Sequence, residues 1–254
     1  MGVSPLEALA LLAAGILGGI VGVVVSLASL VTYPALLLAG LPPVAANVTS
    51  TVSQTFIGIG AALGARRELG GQRAMLLRLA VLSAVGGALG AAILLVLPSR
   101  TFEIAAPVLV GGASLAILVQ ARLAHHRAFR PRGIRIPTAL AYVAVSAYIG
   151  YFGAGGGIIA LVVLAAIIDR PLGHVAMAKT ALAGLANGAA AIGFIFFGPV
   201  RWAFVIPLAT GLLIGGYIGP SLVRRLPVRL LRALIACSGF GVAVLLAWRA
   251  YAGG

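Results

Sequence analysis

Negative charge is almost missing from this chain: its 254 residues hold four carboxylates, Glu7, Glu68, Glu103 and Asp169, against 18 cations. All four acids read as lying near the ends of apolar segments, so no carboxylate stands where an intramembrane proton relay would need one. Cysteine is nearly missing too. The single Cys237 excludes an internal disulfide and any cysteine-rich metal site, and it reads as a small apolar side chain in the last helix. The enzymatic motifs are absent as well. The glycine cluster GAGGGI has neither the spacing of a dinucleotide fingerprint nor its later acid, and no P-loop lysine follows it. There is no H-E-x-x-H zinc motif and no G-x-S-x-G nucleophile elbow. His125 and His126 are neighbours in an arginine-rich loop, where they read as solvated bases, and His174 sits beside a helix start. No enzyme activity, cofactor or metal is expected.

What is present is apolar. Hydrophobic residues make up 62% of the chain and charged ones 9%, against about 25% charged in a soluble domain. That balance describes an all-α polytopic membrane protein. No cleavable leader pattern precedes the first run, which is expected to stay as a helix. The net charge of +14 would suit nucleic acid, but its placement argues against that partner. Arg66, Arg67, Arg73 and Arg78 cluster in one loop, Arg122, Arg127, Arg130, Arg132 and Arg135 in a second, and Arg224, Arg225, Arg229 and Arg232 in a third. Short basic loops between apolar helices are cytoplasmic orientation signals, with anionic lipid headgroups as their expected partners. The organisation follows: a first membrane repeat over 1–123, a basic cytoplasmic linker over 124–136, and a second repeat over 137–254.

The repeats show in the sequence. Long apolar runs at 5–41 and 137–172 each carry small residues near the middle, GGIVGVVVSLAS at 18–29 and GYFGAGGG at 150–157. VAANVT at 44–49 answers VAMAKT at 175–180, and GGALG at 86–90 answers GGYIG at 215–219. Six ordinary helices follow, near 44–65, 74–97, 102–123, 175–197, 202–223 and 230–251, each long enough for roughly 30 Å of hydrocarbon. The two opening runs would be about 55 Å long as single helices, so each is expected to break, at its glycines and at the Tyr33-Pro34 step. Charge decides between two topologies. Eight simple spans, a parallel 4+4 repeat, divide the cations 11 to 7. Two hairpins that return to their own side leave only Arg100, Arg201 and Arg249 on the sparse face. The second arrangement is preferred: an inverted repeat in which each half opens with a broken or re-entrant hairpin followed by three transmembrane helices.

These residues resemble the TauE/SafE sulfite exporters, the TSUP family of membrane anion transporters. The resemblance is carried by the glycine-rich segment at 150–157, the turn Gly40-Leu41-Pro42-Pro43-Val44-Ala45 leading to Thr49 and Ser50, and the block GGYIGPSLVRRLPVRLLR at 215–232. It covers nearly the whole chain and implies passage of sulfite, thiosulfate, sulfonates or similar small anions across the cell (inner) membrane. One departure is visible. Ser26, Ala28 and Ser29 stand where the family more often shows glycines.

The residue chemistry suits an anion independently. A helix that starts inside the bilayer aims unpaired N–H groups and the positive end of its dipole at the break. Candidate binding residues at the breaks are Ser26, Ser29 and Thr32, and Gly153, Gly155, Gly156 and Gly157; on the helices that follow they are Asn47, Thr49, Ser50, Thr180 and Asn187. Small and hydroxylated residues also let membrane helices pack closely, and Gly211, Gly215 and Gly219 at four-residue spacing read that way. Lys179, whose repeat partner is Val48, has two readings: it attracts the anion, or it reaches back into the headgroups. Anion efflux from a negative interior is favourable by about 2.3 kcal/mol per charge at roughly 100 mV, so an exporter or facilitated-diffusion carrier is expected. A passive anion channel, or a subunit that depends on a partner, is the rival. A homo-oligomer is compatible with the sequence, which does not set the oligomeric state.

Overall fold

The structure is a computed structural model that describes residues 3–25, 27–64, 73–123, 133–223 and 228–252. Within these residues the chain is helical throughout. The first half holds α1 (Pro5–Val25), α2 (Ser29–Leu38), α3 (Pro43–Gly64), α4 (Arg73–Val96) and α5 (Ser99–Leu123). The second holds α6 (Ile136–Tyr151), α7 (Gly156–Ala165), α8 (Leu172–Phe197), α9 (Trp202–Val223) and α10 (Val228–Ala247), closed by a π-helical turn at Trp248–Ala252. In hydrocarbon a backbone must satisfy its own hydrogen bonds, which leaves helices as the outcome for runs this apolar. Among the described residues, four segments are long and apolar enough to cross a membrane: Pro5–Val23, Ala74–Val96, His174–Phe197 and Trp202–Gly219.

Both long runs break, by different means. The second breaks between Tyr151 and Gly156, where Gly153 (φ 78°) and Gly155 (φ 76°) take left-handed angles that a side chain would resist. The first breaks between the end of α1 at Val25 and the start of α2 at Ser29, beyond its glycines. The expected break at Tyr33-Pro34 does not occur: Pro34 lies inside α2, a short helix that tolerates one missing donor because its neighbours pack around it. Gly18 and Gly19 serve packing instead. A Cβ on Gly18 would stand 2.9 Å from Thr32 Cγ2, and one on Gly19 would stand 2.6 Å from the Gly216 nitrogen.

The packing of one half recurs in the other. α1 lies along α9 as α6 lies along α4, α3 packs on α9 as α8 packs on α4, and α3 meets α8 while α5 meets α10. Contacts fix the directions. Gly15 faces Leu208 to Leu212 and Gly19 faces Leu212 to Gly216, so α1 and α9 run parallel. Ser83 faces Tyr142 and Gly90 faces Ala147 and Tyr151, so α4 and α6 are parallel as well. By contrast Val48 packs on Gly198, Thr55 on Gly188 and Gly58 on Gly184, which makes α3 and α8 antiparallel. α5 and α10 are also antiparallel, with Gly111 opposite Ala243 and Arg100 Nη2 donating to the Ala250 carbonyl at 3.1 Å. Exposed Phe197, Trp202, Trp248 and Tyr251 gather at the ends of α8, α9 and α10, as aromatic residues do at a membrane interface.

An aromatic knot joins the two breaks. Tyr33 of α2 meets Phe152 edge-on at 5.4 Å, and Phe102 of α5 meets Phe152 at 5.6 Å, all three fully buried. The arginine clusters fall largely outside the described residues; of their members Arg78 and Arg135 are seen exposed.

Candidate functional site

A cavity of about 60 Å³ lies where the two breaks, α3 and α8 converge. A water in bulk takes about 30 Å³, so the space suits a small oxyanion or a few waters. The first break supplies Ala28 and Ser29, and the second supplies Gly153 and Gly157. α3 contributes Gln54, Ile57 and Gly58; α8 contributes Lys179, Thr180, Gly184 and Asn187.

The wall is electropositive by construction. α2 starts at Ser29 after Ala28, and α7 starts at Gly156 after Gly155, neither with a side-chain cap. The positive dipole end of each helix therefore lies at the cavity edge, while the amides of Leu30 and Val31 in α2 and of Gly156 and Ile158 in α7 are already taken by carbonyls of the preceding turn. Lys179 joins the two dipole ends from α8. It is 3% exposed, and among the residues whose burial is described it is the only Lys, Arg, His, Asp or Glu that is buried. Its side chain is covered by the protein and contributes to the lining of this cavity.

Of the residues expected from sequence, Ser29, Gly153, Gly157, Lys179, Thr180 and Asn187 come together on this wall. Ser26 lies outside the described residues. The others stand behind the wall and hold it. Thr32 Oγ1 and Ser50 Oγ are 2.7 Å apart, tying α2 to α3. Asn47 Nδ2 donates to the Tyr151 carbonyl at 2.8 Å, fixing the end of α6 just before its break. Thr49 Oγ1 accepts from the Arg201 amide at 3.2 Å and pins the link between α8 and α9. Gly155 abuts Ala113 of α5, and Gly156 fits against Ile149 and Tyr148. Tyr148 Oη closes the turn by donating to the Ala154 carbonyl at 2.5 Å.

Sequence reasoning passed over Gln54, Gly58 and Gly184. A signal for Gln54 existed: Asn47, Ser50, Gln54 and Gly58 recur at three- and four-residue steps, one polar stripe on an otherwise apolar helix. The two glycines had none, because what matters about them is that they meet.

A buried cation between two broken helices can attract an anion within a bilayer. The family model described as sulfite exporter TauE/SafE matches residues 8–246, nearly the full length. The chain belongs to the sulfite exporter TauE/SafE family. It is a multi-pass membrane protein of a transporter family. No curated protein and no solved structure matches it.

Proposed function

We propose that this TauE/SafE protein is an exporter or facilitated-diffusion carrier of small sulfur oxyanions, sulfite, thiosulfate or sulfonates, across the cell membrane, holding the anion in the cavity between its helix breaks. The observation that carries this reading is Lys179, a buried cation that lines the same space as the starts of α2 and α7. Membership of a sulfite exporter family supports the choice of substrate class.

The halves are read as an inverted repeat. A two-fold axis along the membrane normal keeps equivalent helices parallel, and an axis in the membrane plane makes them antiparallel. α3 and α8, and α5 and α10, are equivalent pairs that meet, and both meet antiparallel. On that reading the α1–α2 hairpin enters from the aromatic-rimmed face, the α6–α7 hairpin from the arginine-rich face, and their tips overlap beside the cavity. Anionic headgroups would neutralise the arginine-rich loops.

Flux measured on purified protein in sealed vesicles tests the assignment. Sulfite should move in a saturable way, down its electrochemical gradient and without added proton or sodium gradients. Sulfite accumulation that requires either ion would refute the facilitated mechanism, and single-channel currents would replace the carrier by a pore.

A further inference from the structure

Gln54 reaches the cavity wall from α3, and its amide is tied from behind. Its Nε2 donates to Ser50 Oγ at 2.9 Å, Ser50 Oγ lies 2.7 Å from Thr32 Oγ1, and Thr32 Oγ1 donates to the Ala28 carbonyl at 3.1 Å. A hydroxyl has one proton to give. With Thr32 donating to Ala28, Ser50 donates to Thr32 and offers Gln54 its lone pairs. In that arrangement Nε2 of the Gln54 amide faces Ser50, and its carbonyl Oε1 takes no part in the relay. Thr180 is in a similar state: its proton goes to the Ala176 carbonyl at 3.0 Å, so the oxygen keeps only lone pairs for the cavity it lines. Thr32 and Ser50 are buried at 0% and 1% exposure, where water does not compete for these bonds.

We propose that Gln54 is a substrate contact that selects an oxyanion bearing a hydrogen, with Ser50 and Thr32 as positioning residues that hold its amide in one orientation. The inference rests on the anion-transport reading and refines its substrate. Lys179 can only donate, and donors alone grip every oxyanion alike. An acceptor placed among them repels a bare oxyanion oxygen and accepts from an S–OH group, or from the hydroxyl or ammonium of a substituted sulfonate. Hydrogen sulfite fits this wall; sulfate and thiosulfate, which have no hydrogen at neutral pH, do not, so the inference narrows the proposed substrates to hydrogen sulfite and sulfonates with a hydroxyl or ammonium group.

The test compares sulfite and sulfate transport in vesicles over a pH series that shifts sulfite toward its monoprotonated form. The wild-type protein should favour sulfite strongly, with half-saturation in total sulfite falling as hydrogen sulfite becomes the main species. Gln54→Leu should weaken sulfite transport about tenfold, the worth of one buried hydrogen bond, and flatten both the pH dependence and the sulfite-to-sulfate ratio. Gln54→Met serves if the leucine variant fails to fold. Ser50→Ala and Thr32→Val should flatten the ratio in the same direction, and Thr32→Ser should restore it, which a merely structural role would not do. A Gln54 variant that carries sulfite with an unchanged ratio overturns this inference alone. A wild-type protein that moves neither anion overturns the transport reading and this inference with it.

Discussion

Adding one carbon atom where α3 crosses α8 should damage anion binding more than it damages the fold. Gly58 and Gly184 both line the cavity, and a Cβ on Gly184 would stand 2.5 Å from Gly58 Cα, where ordinary contact begins near 3.4 Å. Neither atom belongs to a flexible side chain that could turn away. The helices must therefore part by about 1 Å, the gap between those two distances. Overpacking of this kind costs about 1–3 kcal/mol, and replacing a mid-helix glycine by alanine returns about 1 kcal/mol of helix propensity. The net loss of stability is thus at most about 2 kcal/mol. Binding suffers more, because α3 carries Gln54 and α8 carries Lys179 and Asn187 on opposite sides of the widened gap. A hydrogen bond lengthened by about 1 Å is no longer one, and a displacement of that size at a working site costs up to about 100-fold. Gly184→Ala and Gly58→Ala should each raise the half-saturation for sulfite at least tenfold, about 1.4 kcal/mol, in vesicle flux. Sulfite should also lose its stabilising effect on thermal unfolding of these variants. Gly112→Ala on α5 is the control, since a Cβ there meets nothing within 4 Å. A Gly184→Ala protein with wild-type half-saturation would refute the crossing as a determinant of the site.

Lys179→Met keeps the length of the side chain and removes the charge, so the fold should survive, as read by thermal unfolding, while sulfite flux falls by tenfold or more; undiminished flux would remove Lys179 from the site. Topology is open to direct labelling. With the native Cys237 replaced by serine, a cysteine introduced at Arg225 should react with an impermeant thiol reagent only from the cytoplasmic side, and one at Arg201 only from the opposite side. Reaction of both from one side would exclude the inverted arrangement, because α9 joins these two positions.

The broken runs were legible in the sequence because they exceed what one crossing can use, a matter of length alone. Where each breaks was only half legible. The second break follows glycines that the backbone itself needs, at Gly153 and Gly155. In the first, Gly18 and Gly19 resemble that signal but serve close packing against α2 and α9, and which use a glycine has depends on what lies beside it. The polar residues of α3 divide for the same reason. Asn47, Thr49 and Ser50 were conspicuous as hydrogen-bonding groups in an apolar run, yet their partners are Tyr151, Arg201 and Thr32, far away in sequence. Gln54 and the crossing glycines reach the cavity through the register of α3 against α8, which no local pattern encodes.

The unequal halves bear on direction. Val48 holds in α3 the place that Lys179 holds in α8, and it is fully buried against Gly198. If the halves are inverted, exchanging their conformations turns the cavity toward the other face, but no second cation takes over the role of Lys179. The two orientations then bind an anion with different strength. By linkage such a difference sets the half-saturation seen from each face and leaves the equilibrium across the membrane untouched. Net direction has to come from the gradient and the membrane potential, and for an anion the potential favours exit by about 2.3 kcal/mol per charge at roughly 100 mV. Of the four carboxylates, Glu7 and Asp169 are exposed, Glu103 is half-buried and Glu68 lies outside the described residues. On the proposed reading, transport driven by voltage needs no intramembrane proton relay, and the scarcity of acid in the sequence is consistent with that.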